Sequence, residues 1–448
     1  MSHHPASSHL EAAISATEVC IGNPYVIAPK EYAGASAFFE ANQHRIGDLG
    51  RELCERRKPD AARRLLLAAG NWWAFTNDDH HIRPVEEAIN SGHGREIGIT
   101  PTDLRRILAS VDRFYDAMKS FIGISPAVHR VRIDTWRACF GRSLADTLVY
   151  EKTINDQNVL ILGETGTGKE LVARAVQRGH LGAPDGTVPP CPALNGAAIP
   201  TGLAESELFG HRKGSFTDAV GDRDGKIVEA DHGTLFIDEV ADLPAPVQPK
   251  LLRVMETDLV TPVGSNREIP VHVRYVGATS KPIREMGRRD EFRPDLYERL
   301  AGVVLEIPPL RERPEDVEPI ARSILGRSFE RVEKSRLGEV EHSVLEWLSK
   351  DCRTTPWEGN VRELSAAIGN HLLGISRKFD LAAETAHALA LGEVPERVLA
   401  CEATEDEVVH WYLERVVASV GNNLSRAEKV LGVDRGTIRR RLGRKARR

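Results

Sequence analysis

The chain of 448 residues has room for about three domains. Hydrophobic residues make up 41% and charged residues 28%, an ordinary balance for a soluble globular protein, and no apolar run reaches the roughly eighteen residues of a membrane span. The net charge of −5 conceals a terminal segment from Leu424 onward with ten basic and two acidic residues, +8 in all, which leaves −13 for the rest.

No charged-then-apolar leader opens the chain, and residues 1–10 read as a polar, unstructured tail. From about Leu10 to Lys119 the pattern is helical. Its clearest stretches are Ala61–Ala69 and Pro101–Ala109, the second with Thr100 as N-cap. Between them lie Trp72-Trp73 and the cluster Asp78-Asp79-His80-His81. That cluster lacks the i, i+4 spacing of helical metal ligands, so it reads as a polar loop. Six scattered cysteines (Cys20, Cys54, Cys139, Cys191, Cys352, Cys401) form no C-x-x-C pair and are expected as reduced thiols of a cytoplasmic protein.

Ser125-Pro126 marks a boundary, followed by a helix through Trp136. Strands then alternate with helices: Val159–Leu162, a weak strand near Cys191–Leu194, Leu235–Ile237, Val271–Ala278 and Val303–Ile307. This alternation predicts a doubly wound α/β domain with a mainly parallel sheet. Pro189, Pro190 and Pro192 cannot donate to a sheet ladder, so the second strand belongs at an edge.

Directly after the first strand comes Gly163-Glu-Thr-Gly-Thr-Gly-Lys-Glu170, and a helical pattern follows. Strand, glycine-rich turn and helix are the setting in which G-x-x-x-x-G-K cradles phosphate. Gly163, Gly166 and Gly168 let the backbone wrap so that its N–H groups face phosphate oxygens. Glu164, Thr165 and Thr167 complete the loop, and Lys169 supplies a cation. Glu170 stands where a Ser or Thr hydroxyl ordinarily meets magnesium. Farther on, Gly233-Thr-Leu-Phe-Ile-Asp-Glu239 is an apolar strand ending in two carboxylates. Asp238 suits Mg²⁺ coordination, and Glu239 suits orienting an attacking water.

From Arg313 the composition is helical again, with Pro314-Glu-Asp316 opening one helix and Trp357-Glu-Gly-Asn360 capping another. Residues 379–404 read as a linker. The last segment divides at Gly421-Asn-Asn423 and Gly432-Val433 into helices over Glu405–Val420, Leu424–Leu431 and Asp434–Leu442. Two short helices around a Gly turn, the second basic, predict a helix-turn-helix. Arg435, Thr437, Arg439 and Arg440 are its candidate contacts to DNA.

Together these motifs resemble the bacterial enhancer-binding activators of sigma-54 RNA polymerase, within the AAA+ ATPases. The likeness covers roughly residues 121–375 and the terminal helix-turn-helix, which is similar to the family's Fis-type domain. Further matching motifs are Glu205-Ser-Glu-Leu-Phe-Gly-His211, Phe292-Arg-Pro-Asp-Leu-Tyr-Glu-Arg-Leu300, Pro308-Pro-Leu-Arg-Glu-Arg313 and Trp357-Glu-Gly-Asn-Val-Arg-Glu-Leu364. The family's own phosphate loop carries the glutamate seen at 170. The resemblance implies that Asn195 restrains Glu239, that Arg293 and Arg299 reach a neighbouring subunit's γ-phosphate in a hexameric ring, and that Arg362 is the second sensor on a helical lid.

Two positions depart from the family pattern. Thr279-Ser280 replaces the usual Thr-Asn of the first sensor. The sigma-contacting loop, usually Gly-Ala-Phe-Thr-Gly-Ala, here reads Gly214, Ser215, Phe216, Thr217, Asp218, Ala219.

The expected organisation is a helical regulatory domain over 1–120, an AAA+ α/β subdomain over 121–312, a helical lid over 313–378, a linker over 379–404 and a Fis-type domain over 405–448. The expected activity is ATP- and Mg²⁺-dependent remodelling of sigma-54 polymerase at DNA, in the cytoplasm and away from membranes. The alternatives are an AAA+ regulator that no longer acts on that sigma factor, or a nucleotide-gated DNA-binding switch.

Overall fold

The computed structural model describes residues 5–27, 29–42, 45–76, 82–90, 97–182, 187–215, 221–328, 334–352, 355–375, 405–419, 424–431 and 433–442. The polar cluster at 78–81, the expected linker and Phe216 to Ala219 lie outside these residues. The chain forms two compact units. One comprises Met1–Lys350 with Pro356–Ala366, and the other Asp351–Thr355 with Ala367–Arg448.

The first unit opens with helices α1 (Pro5–Ile21), α2 (Pro29–Asn42), α3 (Ile46–Glu55), α4 (Pro59–Thr76), α5 (Ile82–Asn90) and α6 (Pro101–Met118). Residues 5–10, expected as tail, are instead helical: proline is pre-organised for a first helical turn, and the helix it opens runs on to buried Ala13, Ala16 and Cys20. At α6 the expected cap is present. The Thr100 side chain accepts from the Asp103 N–H while Asp103 reaches back to the Thr100 N–H. This helix buries Leu104, Ile107, Leu108, Val111 and Phe114, each worth roughly 1.5–3 kcal/mol of apolar burial.

α7 (Pro126–Phe140) starts at Ser125, whose hydroxyl caps the Val128 N–H. Beyond it the sheet is built from β1 (Val159–Leu162), β2 (Ala193–Asn195), β5 (Gly233–Asp238), β8 (Val273–Thr279) and β9 (Val303–Glu306), in the order β2-β5-β8-β1-β9. Every pairing is parallel. β2 is at the edge, as its prolines require. Pro190 and Pro192 offer only carbonyls, which accept from Thr234 and Phe236 of β5. Two short hairpins, β3 (Gly210–His211) with β4 (Arg223–Asp224) and β6 (Leu259–Val260) with β7 (Ile269–Pro270), lie outside this sheet.

The expected boundary near residue 120 does not separate two cores. A single apolar cluster runs from Ala13 and Phe39 through Leu66, Phe114, Trp136 and Phe140 to Val159, Val276 and Ile307. α6 lies along α8 (Lys169–Arg178), the helix that follows the phosphate loop. Buried Arg106 donates to the Gly182 carbonyl and pairs with Glu151, and Arg113 donates to the carbonyls of Arg178 and His180. The other face of the sheet packs a second cluster, including Leu208, Leu235, Ile237, Leu251 and Leu296.

In the second unit the three expected helices are present at Glu405–Ser419, Leu424–Leu431 and Arg435–Leu442. They close on Val417, Ala427 and Ile438. Asp434 caps the last of them through the Thr437 N–H.

A candidate nucleotide site at the ends of the parallel strands

The parallel register brings Leu162, Asn195, Asp238 and Thr279 to one edge of the sheet. Here a cavity of about 830 Å³ is lined by the phosphate loop, Asn195, Asp238, Glu239, Arg313 and Arg362, with Ser120, Phe121 and Ile122 on another side. Gly166 and Gly168 take φ of +81° and +106°. At Gly166 a side chain is excluded twice, since an added Cβ would also stand 2.3 Å from the Gly359 carbonyl.

Lys169 is buried at the start of α8. Its ammonium donates to the carbonyls of Gly163 (2.9 Å) and Glu164 (3.2 Å) and lies 3.8 Å from Glu239 Oε1. Burial pushes its pKa down, and Glu239 and Asp238 partly offset this. Burial and the adjacent Glu239 push the Asp238 carboxyl above its usual range. Asn195 donates to Asp238 Oδ2 at 3.2 Å, and its Oδ1 accepts from the N–H groups of Ala197 and Ala198. Glu239 is bonded by Thr279 and Ser280 and takes a left-handed backbone (φ +46°), strain of the kind that clusters at functional sites. Exposed Glu170 pairs with Arg174.

Three features were not read from the sequence. Arg311 makes a bidentate pair with Glu164 at 2.7 and 2.6 Å and holds that carboxyl below its usual range. From the sequence Asn360 reads only as a cap. In the fold its φ is +54°, its amide donates to the Thr165 carbonyl (3.1 Å), and its Oδ1 accepts from the Leu310 N–H (2.6 Å). Arg313 donates to the Thr167 carbonyl at 3.1 Å. All three lie in motifs already matched to the family, but only Asn360 carries a local signal, as a residue type that tolerates positive φ.

The other expected residues lie elsewhere. Arg293 pairs with Asp295, and Arg299 donates to the Met255 carbonyl at 3.1 and 2.7 Å; neither lines this cavity. Gly214 has φ +82°, and the Ser215 hydroxyl donates to the Arg212 carbonyl. Arg435, Arg439 and Arg440 are exposed in the second unit and Thr437 is half-buried.

A parallel sheet with β8 inserted between the phosphate-loop strand and the Asp-Glu strand, closed by helices, defines an α/β nucleotide-binding domain of the AAA+ class. Residues 144–306 match the family model described as the Sigma-54 interaction domain. The transcriptional regulatory protein ZraR of Escherichia coli (strain K12) is 37% identical over 371 residues, covering 81% of this chain and 80% of that protein. The chain belongs to this family, the sigma-54-dependent enhancer-binding regulators. Two E. coli (strain K12) relatives match over shorter spans. The DNA-binding transcriptional activator HyfR is 43% identical over 222 residues, 49% of this chain and 31% of HyfR. The transcriptional regulatory protein GlrR is 44% identical over 210 residues, 47% of this chain and 45% of GlrR. The chain thus spans less than half the length of HyfR and of GlrR. Among the described residues no helix is long and apolar enough to cross a membrane.

Proposed function

We propose that this protein is an ATP-hydrolysing, DNA-bound transcription regulator that remodels sigma-54 RNA polymerase toward the open complex, working in the cytoplasm as a hexameric ring. The observation that carries this reading is the convergence of Lys169, Asp238, Glu239 and Arg362 on one cavity at the phosphate loop. The exposed arginines of the last helix are the proposed DNA contacts, and the loop from Gly214 is the proposed contact with the sigma factor.

The chemistry follows from the placement of these groups. Lys169 leaves the loop's own carbonyls for the outer phosphates of ATP, which also receive backbone N–H groups at the start of α8. Glu239 orients a water against the γ-phosphorus; the new P–O bond forms as the bond to the β–γ bridging oxygen breaks, giving ADP and phosphate. Positive charge from Arg362, and from Arg293 and Arg299 of an adjacent subunit, meets the charge spread over the transferred group. Asp238 beside Glu239 offers the hard oxygen donors that suit Mg²⁺, and a bound cation relieves the burial of its carboxylate. When bound, Mg²⁺ draws charge from the phosphate oxygens.

A second reading keeps the ATPase without sigma-54; it is motivated only by the aspartate at 218 in place of the family's glycine. The test is turnover and nucleotide binding by the full chain. Lys169→Ala is expected to lose nucleotide binding. Glu239→Gln is expected to bind ATP and lose turnover by about a hundredfold or more. Near-normal hydrolysis by Glu239→Gln would remove this residue from the mechanism. Capture of sigma-54 polymerase in the presence of a transition-state analogue of ATP separates the two readings.

A further inference from the structure

The stretch between α6 and α7 is fixed against the cavity by buried polar groups. Asp316 is fully buried, and its Oδ1 accepts from the backbone N–H groups of Ile124 (2.5 Å) and Ser125 (2.7 Å). Its Oδ2 accepts from the Ser125 hydroxyl at 2.7 Å and lies 3.8 Å from Arg313, which is 1% exposed. Arg313 in turn donates to the carbonyl of Thr167 in the phosphate loop. On the opposite side Arg132 donates to the carbonyls of Phe121 (2.7 Å) and Gly123 (2.9 Å). Residues 121–125 are therefore held through both their N–H and their C=O groups. Gly123 fits this arrangement because a Cβ there would stand 2.9 Å from the Asp316 carboxyl.

The held stretch carries Phe121 onto the phosphate loop: a Cβ added at Gly168 would stand 3.3 Å from its ring. α8 is thus gripped at its start by Phe121 and at its end by Arg113 of α6, which donates to the Arg178 carbonyl. A buried charge pair is costly unless its partners stay fixed, so this hinge resists independent movement of its two sides. Two elements that move together give linked equilibria, and the linkage is reciprocal.

The geometry points to Arg313 and Asp316 as positioning residues that lock the 121–125 hinge to the phosphate loop, so that nucleotide binding and the packing of α6 are coupled. Through this hinge the N-terminal helices act on nucleotide affinity, and a bound nucleotide acts on them. The inference rests on reading the cavity as the ATP site.

The experiment uses the full chain with ADP as probe, reading affinity by calorimetry and amide hydrogen exchange over residues 101–118. In the natural protein ADP binds and slows exchange in α6. Asp316→Asn is expected to weaken ADP binding on the order of tenfold, the scale of ordinary coupling between sites, and to abolish the ADP-dependent protection of α6. Should that variant fail to fold, Phe121→Ala leaves the ion pair intact, removes the ring, and is expected to lose the same protection. Natural affinity together with an unchanged α6 response in a folded variant overturns the coupling alone. Failure of the natural protein to bind ADP overturns the nucleotide-site reading and the coupling with it.

Discussion

Ser280 holds Glu239 from two atoms, its backbone N–H 2.9 Å from Oε2 and its hydroxyl 3.1 Å from Oε1. The Thr279 hydroxyl adds a third donor to the pair, 3.2 Å from Oε2. Oε2 is thereby anchored, while Oε1, which lies 3.8 Å from the Lys169 ammonium, keeps a lone pair for a water. The expected restraint, Asn195, is engaged with Asp238. Ser280→Ala is predicted to lower kcat by about fivefold, the worth of one hydrogen bond, with ADP affinity unchanged. Ser280→Thr, which keeps the hydroxyl, should restore it. In a Glu239→Gln background the alanine should add little; a full additional loss there would mean that Ser280 acts through something else.

Arg299 donates two nitrogens to the Met255 carbonyl and stands outside its own chain's cavity. A finger that serves a neighbour must exchange that carbonyl for phosphate. Arg299→Ala and Glu239→Gln proteins should each be nearly inactive alone. Mixed together they should recover turnover, because some interfaces pair an intact arginine with an intact glutamate. No recovery, with mixed rings demonstrated by native mass spectrometry, would put both residues to work within one subunit.

His180 gives the first unit an acid-sensitive point. It is buried after α8, and its Nδ1 accepts from the Gly182 N–H at 3.2 Å, so that nitrogen is unprotonated. Burial, helped by Arg274, His272, Arg113 and Arg106, pushes its pKa down to about 4 from an ordinary 6.5. The unfolded chain therefore takes the proton first. Stability is whole above about pH 6.5 and falls as pH drops toward 4, by about 2 kcal/mol at pH 5 from this group. Urea unfolding at pH 7.5 and pH 5 should show a smaller acid loss for His180→Asn than for the natural protein. Equal losses would exclude His180 as the source.

The proposed sigma-contact loop is anchored at its base by Lys213 N–H to Asp222 and by Ser215 to Arg212. Asp218 adds a charge that a ring would bring six times toward one axis, and that repulsion grows as loops converge within the roughly 8 Å screening length. It also tolerates positive φ less readily than the family's glycine. Asp218→Gly is predicted to strengthen sigma-54 binding and promoter opening at unchanged ATPase rate. Full opening by the natural protein, with no gain from glycine, would count against a role for the aspartate.

The phosphate loop, the Asp-Glu strand, the edge position of the proline-bearing strand, the Thr100 cap and the three terminal helices were all legible in the sequence. Each is a local demand: glycines where the backbone wraps, prolines where a donor is missing, a hydroxyl where a helix begins. The tertiary structure alone decided the rest. The segment before residue 120 has a helical pattern but no label for its partner, and the fold sets its helices in one core with the parallel sheet. Ser280 meets Glu239 from 41 residues away, Arg313 meets the Thr167 carbonyl from 146, and Asp316 meets Ser125 from 191. No periodicity or spacing encodes such pairs, because they exist only once the parallel strands have brought their C-terminal ends to one edge. There a buried charge or hydroxyl must find whatever donor the topology has placed beside it.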